Sequence, residues 1–485
     1  MRKYIFLLLM GISQLTFAQF WQDSTLSSQA IKEDFLSLKS NIYSTHQDAF
    51  FYGDSLEFEL KLIQLQDYFA TGASKSEFLL EVGSLLQYFQ DSHTYLNYQH
   101  LIGELKKGEG RALPFRIKLI NSDVYLCVDR LQLIPPGAKL ISINGEQFTS
   151  LLAGMHSLSI IEGDAKNGYL SIAESIFPTL AHHIVDLNTT NTIEYLAYGE
   201  STPQTIDYPA LKIDELKDLL GKGAKKNPVS LEIDSMNVAI LKITSFSRGS
   251  DPKYWRSIQK AFAKMKRAEC RRLIIDLRGN TGGSSERMES LFPYLELQPS
   301  NVPSNIIARQ SLLSMERNDQ TFKGFSKWML THFFKKNEDV QNYLQMVRLK
   351  PGETDTIYYT EKLEPQRHRF TGDVFLLIDG LTGSASVNFA SKFIQNEIGT
   401  VVGEPCLGPL GGTWGNPASF TLPNSRISVN VSTIRFNTNN DFSKSSIQIT
   451  PHREIGPSVK DLAEERDGPL EWVIERVNLD LKEED

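Results

Sequence analysis

Only three cysteines occur in the 485 residues, too few for a disulfide framework. Cys127, Cys270 and Cys406 make no CxxC pair, which leaves room for one bridge at most and points to mostly buried thiols. HExxH and comparable ligand spacings are missing, so no catalytic metal is expected and no cofactor is implied. Neither GxGxxG nor GxxxxGK[ST] occurs, which argues against a nucleotide phosphate cradle. There are no internal repeats or low-complexity tracts. A 41% hydrophobic and 22% charged composition excludes pervasive disorder and a polytopic membrane protein.

The one notable apolar run is N-terminal. Arg2 and Lys3 precede residues 4–15, and Thr16-Phe17-Ala18 places small residues at the −3 and −1 positions, the pattern of a signal peptide cleaved after Ala18. The run is well short of the about 20 residues a membrane span needs. An exported protein, periplasmic or extracellular, with no integral membrane segment after cleavage is the expectation. Losing Arg2 and Lys3 moves the net charge from −7 to −9, an acidic balance that disfavours nucleic acid as a partner. Oligomeric state leaves no trace in the sequence.

After the leader (1–18), a helical region covers residues 19–107. Ile31, Phe35, Leu38 and Ile42 share one helix face, and a Ser74/Glu77 capping box opens a second helix carrying Phe78, Val82, Leu85 and Phe89. That helix should end near Gln90 and deliver Asp91-Ser92-His93-Thr94 onto a loop. Residues 108–213 are strand-rich and include an Asn144-Gly145 hairpin turn. A charged, glycine-containing stretch at about 214–226 marks a boundary. Residues 227–480 alternate strand and helix, an α/β core, with a less periodic insertion at about 295–365. Strands are expected at 238–243, 272–277 and 374–378, with helices from Ser285 and over 385–396.

Ser384 stands on the turn between a buried strand and a helix N-terminus, where unpaired N–H groups could stabilise an oxyanion. Capping that helix is the commoner role for a serine there, so both readings stay open. Gly279, Gly282 and Gly283 could present backbone donors, or merely turn the chain. Among nine histidines, His93 is the best candidate base, because it is flanked by Ser92, Thr94 and Asp91, although a plain loop histidine is an equal alternative.

Three motifs in order resemble the S41 peptidases, the C-terminal processing protease and tricorn-core family: Asp91-Ser92-His93-Thr94, Asp276-Leu277-Arg278-Gly279-Asn280-Thr281-Gly282-Gly283, and Ser384-Ala385-Ser386 followed by Gly403-Glu404-Pro405. The resemblance implies a multidomain α/β protein with a ClpP/crotonase-like catalytic core. It also implies a serine endopeptidase acting on polypeptides: Ser384 the nucleophile, His93 the base, Ser92 a member of a Ser-His-Ser-Glu tetrad. The backbone N–H groups of Gly282 or Gly283 and of Ala385 would form the oxyanion hole. The lysine of the processing-protease branch would follow the Gly-Glu-Pro strand, where Gly408-Pro409 stands, so the histidine-dependent tricorn-like branch is the nearer one. Glu454 is the candidate for the tetrad acid, with Asp91 as an alternative orienting group. Residues 136–145 resemble part of a degenerate PDZ domain, whose carboxylate-binding loop would fall at residues 112–115. A catalytically weak or inactive relative that binds peptides or small apolar ligands is the alternative function; a GxSxG ester-hydrolase elbow is absent.

Overall fold

The computed structural model describes residues 24–220, 227–247, 254–295, 304–321, 338–359, 363–438 and 447–484. The expected leader lies outside the described residues. The N-terminal region is a helical layer of α1 (Ser28–Thr45), α2 (Ser55–Tyr68), α3 (Lys75–Leu86) and α4 (Tyr98–Lys107). Its core follows the sequence periodicity: Ile31, Phe35, Leu38 and Ile42 of α1 are fully buried, and Phe58 of α2 and Phe78, Val82 and Leu85 of α3 join the same cluster. Both halves of the Ser74/Glu77 capping box form. A single 3₁₀ turn then ends at Gln90 in the left-handed conformation, which turns the chain into the loop carrying residues 91–94.

Residues 115–209 form an antiparallel sheet in the order β5–β4–β3–β2–β1, with β1 (Phe115–Ile120), β2 (Asp123–Asp129), β3 (Lys139–Ile143), β4 (Thr190–Leu196) and β5 (Gln204–Pro209). Asn144 and Gly145, both at positive φ, make the expected tight hairpin. Between β3 and β4 run α5 (Phe148–Gly154) and α6 (Lys166–Leu180). Helix α6 packs along edge strand β1, and its Glu174 carboxylate accepts the Leu119 N–H at 2.6 Å. In the stretch where the PDZ likeness puts a carboxylate loop, the Leu113 N–H donates to the Pro178 carbonyl.

The α/β core holds β6 (Val229–Ile233), β7 (Val238–Ile243), β8 (Arg272–Asp276), β11 (Asp373–Ile378) and β12 (Thr400–Gly403) side by side, with Arg453–Glu454 at the far edge. All neighbours are parallel except β6 with β7. Alternate residues of these strands face two layers. Leu241, Ile275 and Leu376 meet α7 (Tyr254–Arg267) and α11 (Ala385–Gln395), while Ile274, Leu377 and Val402 meet Val473 of the C-terminal helix α12 (Gly468–Glu484). The helix expected from Ser285 is short, α8 (Ser285–Glu289), because a 3₁₀ turn containing Pro293 follows it.

The insertion is partly absorbed into the core. Its β9 (Asn305–Arg309) and β10 (Thr354–Tyr358) extend a second sheet, β10–β9–β14–β13, with β13 (Gly412–Gly415) and β14 (Ile434–Asn437) supplied by the core. Helices α9 (Leu312–Thr321) and α10 (Glu338–Arg348) stand beside it, and residues 296–303, 322–337 and 360–362 of the insertion lie outside the described residues. In the boundary stretch, residues 213–220 are helical and 221–226 lie outside the described residues.

A charged junction ties the antiparallel sheet to the core. Lys118 of β1 reaches Glu404 at 2.9 Å and Glu174 at 3.5 Å, all three largely buried. Burial raises the Glu174 carboxyl to about 7 even beside the lysine, whereas Lys118, which burial alone would lower, is held above its ordinary range by Glu174 and Glu404. Removing one partner of such a cluster leaves buried charge uncompensated. Lys118→Met is expected to lower stability by about 3 kcal/mol, read from the midpoint of urea unfolding; an unchanged midpoint would refute the junction's role.

Candidate active site

Strand β11 ends at Ile378, and the chain turns through Gly380-Leu381-Thr382-Gly383 into Ser384 before α11 begins. Ser384 adopts φ 52° and ψ −121°, a left-handed conformation that a non-glycine residue holds only when its surroundings enforce it. Its side chain makes no helix-capping hydrogen bond. Instead its Oγ lies 3.1 Å from His93 Nε2, across 291 residues of sequence. The cap reading therefore gives way.

His93 is fixed from behind. Its Nδ1 is 3.1 Å from Ser92 Oγ, and that hydroxyl donates to Glu162 Oε2 at 2.5 Å. With its own proton committed to Glu162, Ser92 Oγ accepts the proton on His93 Nδ1, which leaves Nε2 a lone pair facing Ser384. Glu162 is fully buried and accepts two further hydrogen bonds, from Thr413 Oγ1 at 2.7 Å and the Trp414 N–H at 2.9 Å. Burial, reinforced by the nearby Asp91 charge, pushes its carboxyl up to about 7 despite those donors and the charge of Arg435. Burial also holds His93 below the ordinary histidine range, with Asp91 pulling the other way, so the imidazole is neutral near pH 7.

The expected tetrad acid Glu454 is not at this site. It lies exposed on the edge of the parallel sheet, where pairing with Gly403 fixes it, and Glu162 already fills the acceptor position at Ser92. Asp91 does not orient the imidazole either. Its Oδ1 accepts the His93 backbone N–H at 2.8 Å, and its Oδ2 accepts from Thr94 Oγ1 at 2.6 Å and from His46 Nε2 at 2.9 Å. His46 Nδ1 accepts the Asp48 N–H, which puts its proton on Nε2, toward Asp91. Asp91 thus builds the turn that carries Ser92 and His93. Burial alone would raise its carboxyl, but the His46 bond and the neighbouring imidazoles hold it below the ordinary range.

Behind Glu162, the buried Arg435 guanidinium sits 4.5 Å from the Phe51 ring centre, 5.2 Å from Trp414 and 5.3 Å from Tyr52, and it donates to the Tyr52 hydroxyl. None of Glu162, His46 and Arg435 stood out in the sequence. Glu162 follows Ile160 and Ile161 on a loop of the middle region, far from where the family likeness directs a search.

The glycine loop closes the opposite side. Asn280 is buried: its Oδ1 accepts the Gly282 N–H at 3.0 Å, its Nδ2 donates to the Ile243 carbonyl, and its own carbonyl accepts the Gly383 N–H. Gly282 is therefore not an oxyanion donor. Its role is steric, since a Cβ at its φ of 100° would come within 2.6 Å of Ser384 Cβ. Gly283 and Ala385 line a cavity of about 790 Å³ together with Ser384, and neither N–H has a hydrogen-bond partner among the described residues. In the Asp-Leu-Arg-Gly-Asn stretch, Asp276 and Arg278 are structural: Arg278 bridges Asp276 and Asp467 with bidentate hydrogen bonds to each. At the position where a lysine would stand, Gly408 packs against Val387. The apolar wall of the cavity comes from Ile306, Ala308, Ile434 and Phe436, so the insertion helps to build the site.

This architecture is that of a serine peptidase. Residues 237–455 match the sequence model of peptidase family S41, which identifies that region as an S41 peptidase domain. Solved structures with the same fold include mature CPAF, 15% identical with a TM-score of 0.59 over 90% of this chain and 94% of that one. Mature CPAF complexed with lactacystin is also similar, 14% identical with a TM-score of 0.62 over 94% and 99%. No curated protein sequence matches the chain. Among the described residues there is no metal-binding cluster, and no helix is long and apolar enough to cross a membrane.

The position of Glu162 has a thermodynamic consequence. Its folded pKa of about 7 lies above the ordinary 4.5, so between those values the native state holds more protons than the unfolded state. Stability from this group is lost as pH rises through that window. Glu162→Gln removes the dependence, and its melting temperature relative to the wild type should rise from pH 5 to pH 8 by the equivalent of about 3 kcal/mol. A constant difference would refute the assignment.

Proposed function

We propose that the chain is an exported serine endopeptidase of the histidine-dependent, tricorn-like type, cleaving polypeptides through an acyl-enzyme on Ser384. The observation that carries the reading is the 3.1 Å contact of Ser384 Oγ with His93 Nε2 on a serine held at positive φ. In the first half-reaction Oγ attacks the scissile carbonyl carbon while its proton passes to His93 Nε2. The oxyanion takes hydrogen bonds from the Gly283 and Ala385 N–H groups. As the C–N bond breaks, the His93 imidazolium returns the proton to the leaving amine. Water then repeats the sequence in reverse, with His93 as base, and releases the acid.

Ser92 and Glu162 keep the imidazole in the tautomer this cycle needs, and the ionised Glu162 stabilises the imidazolium. Burial holds His93 below the ordinary histidine range while it pushes Glu162 up to about 7, so the group whose ionisation limits the reaction on the acid side is Glu162. The N-terminal leader motif supports export, and the apolar half of the cavity wall suits an extended, unfolded segment.

A fluorophosphonate probe on the purified protein should label Ser384, as located by peptide mapping. Ser384→Ala and His93→Ala should each lower kcat/KM on an unfolded protein substrate by about 10⁴-fold or more. In the wild type kcat/KM should rise through about pH 7, and Glu162→Gln should lose that limb together with at least about 10²-fold of the rate. No adduct at Ser384, with wild-type proteolysis equal to that of Ser384→Ala, would sink the enzyme reading and favour a peptide-binding relative.

A further inference from the structure

A dense run of positive charge lies on α7, remote from the catalytic groups. Tyr254, Ile258, Ala261, Phe262 and Met265 face the sheet, and the opposite side presents Arg256, Lys260 and Arg267, separated by four and seven residues, with Lys264 and Lys266 on its two flanks. All five cations are exposed, and among the described residues none takes part in a salt bridge. The helix C-terminus favours cations in its last turn, which accounts for Lys264, Lys266 and Arg267. It accounts neither for Arg256 and Lys260 nor for the cations that other segments bring alongside.

Those segments are residues 269–271 and 368–371. Residues 269–270 and 368–371, with Phe262 and Lys266, enclose a pocket of about 230 Å³, with Glu269 its one carboxylate. Exposed Arg271 lies next to it in sequence. Arg369 lines the pocket, and its Nε is buried with no hydrogen-bond partner among the described residues, a donor left unsatisfied. Trp255, 39% exposed, stands on the same flank of α7 as Phe262 and Lys266. This surface is cationic on a chain of net charge −7. It lies toward the N-terminal ends of β8 and β11, whereas Gly283 and Ser384 follow their C-terminal ends, about 16 Å away by strand rise.

We infer that α7 and the adjoining pocket dock the protein onto a bilayer surface carrying anionic phospholipid, with the pocket of Lys266, His368 and Arg369 taking a headgroup phosphate. The amphipathic cationic helix supplies attraction to the anionic surface, and Trp255 supplies the aromatic side chain that partitions to the interface. The acidic remainder of the chain argues against nucleic acid. Docking through this end leaves the catalytic cavity, at the opposite ends of the strands, facing solvent.

Vesicle flotation of the full chain tests the inference. Vesicles with about one-third phosphatidylglycerol should recover at least about tenfold more protein than phosphatidylcholine alone at low salt, and the gain should vanish at high salt. The triple variant Lys260→Glu, Lys266→Glu, Arg267→Glu should fall to the phosphatidylcholine level while keeping the wild-type melting temperature and fluorophosphonate labelling. Arg369→Ala should also weaken the phosphatidylglycerol-dependent recovery. Equal recovery on both vesicle types, or a triple variant that floats like the wild type, overturns the inference. If inorganic phosphate alone raises the melting temperature of the wild type but not of Arg369→Ala, and no vesicle preference appears, the pocket is a free-phosphate site and the membrane assignment fails. Duplex DNA retention lost in the triple variant, without lipid binding, overturns it in favour of nucleic acid.

Discussion

Glu162 is a carboxylate kept out of water with a hydroxyl, a second hydroxyl and a backbone N–H aimed at it, and the geometry of the site hangs on that burial. An acid in this position is costly to ionise, which is why its pKa is pushed up to about 7. In its ionised form it fixes the direction of every hydrogen bond around it. Ser92 and Thr413 must donate, because a carboxylate only accepts. Once Ser92 donates there, it accepts from His93 Nδ1, and Nε2 is left as the acceptor facing Ser384. The tautomer of His93 is thus selected from two hydrogen bonds away.

Holding such a charge takes contributions from all parts of the chain. The helical region brings Ser92 and His93, the middle region Glu162, and the core Ser384, Thr413 and Trp414. The strand Tyr95–Leu96, just past His93, pairs with Ser428–Val431 of the core, so the loop carrying His93 is stitched to the same framework as Ser384. Arg435 adds a buried positive charge behind Glu162, packed among Phe51, Tyr52 and Trp414. No one segment could form this site alone. A long-range arrangement of this kind explains why the middle region is packed so closely on the core: α6 lies against the nucleophile loop, where a Cβ on Gly380 would come within 2.1 Å of Ser171 Oγ.

How much of this was legible in the sequence depended on how local the determinant was. Periodicity located α1 and α3, the Ser74/Glu77 box and the Asn144-Gly145 turn, because each depends on residues within a few positions. The parallel strands, read as apolar runs, fell where expected for the same reason. Ser384 could be marked by its strand-turn-helix setting but not separated from a cap, since the distinction lies in its φ and in a histidine 291 residues away. Glu162 was invisible. A single acidic residue on an irregular loop carries no pattern, and only the packing of the middle region on the core gives it a partner. Glu454 was misassigned because chain order suggested the C-terminal stretch, whereas sheet pairing with Gly403 puts it at an exposed edge.

The positive φ of Ser384 and the glycine at 282 are two sides of one constraint. A serine in this conformation stores strain of about 1–3 kcal/mol, sustained only if neighbouring segments leave the backbone no alternative. Here the restraint is the Asn280 bridge, which holds the Gly383 N–H and the Gly282 N–H at once and so fixes both loops against each other. The approach is so tight that any side chain at 282 would strike Ser384 itself. Consuming the Gly282 N–H in that bridge is what leaves Gly283, one residue on, as the donor facing the cavity. The glycine pair therefore divides its work: the first, lacking a side chain, leaves room for Ser384 in its conformation, and the second presents an unpaired N–H to the cavity beside it.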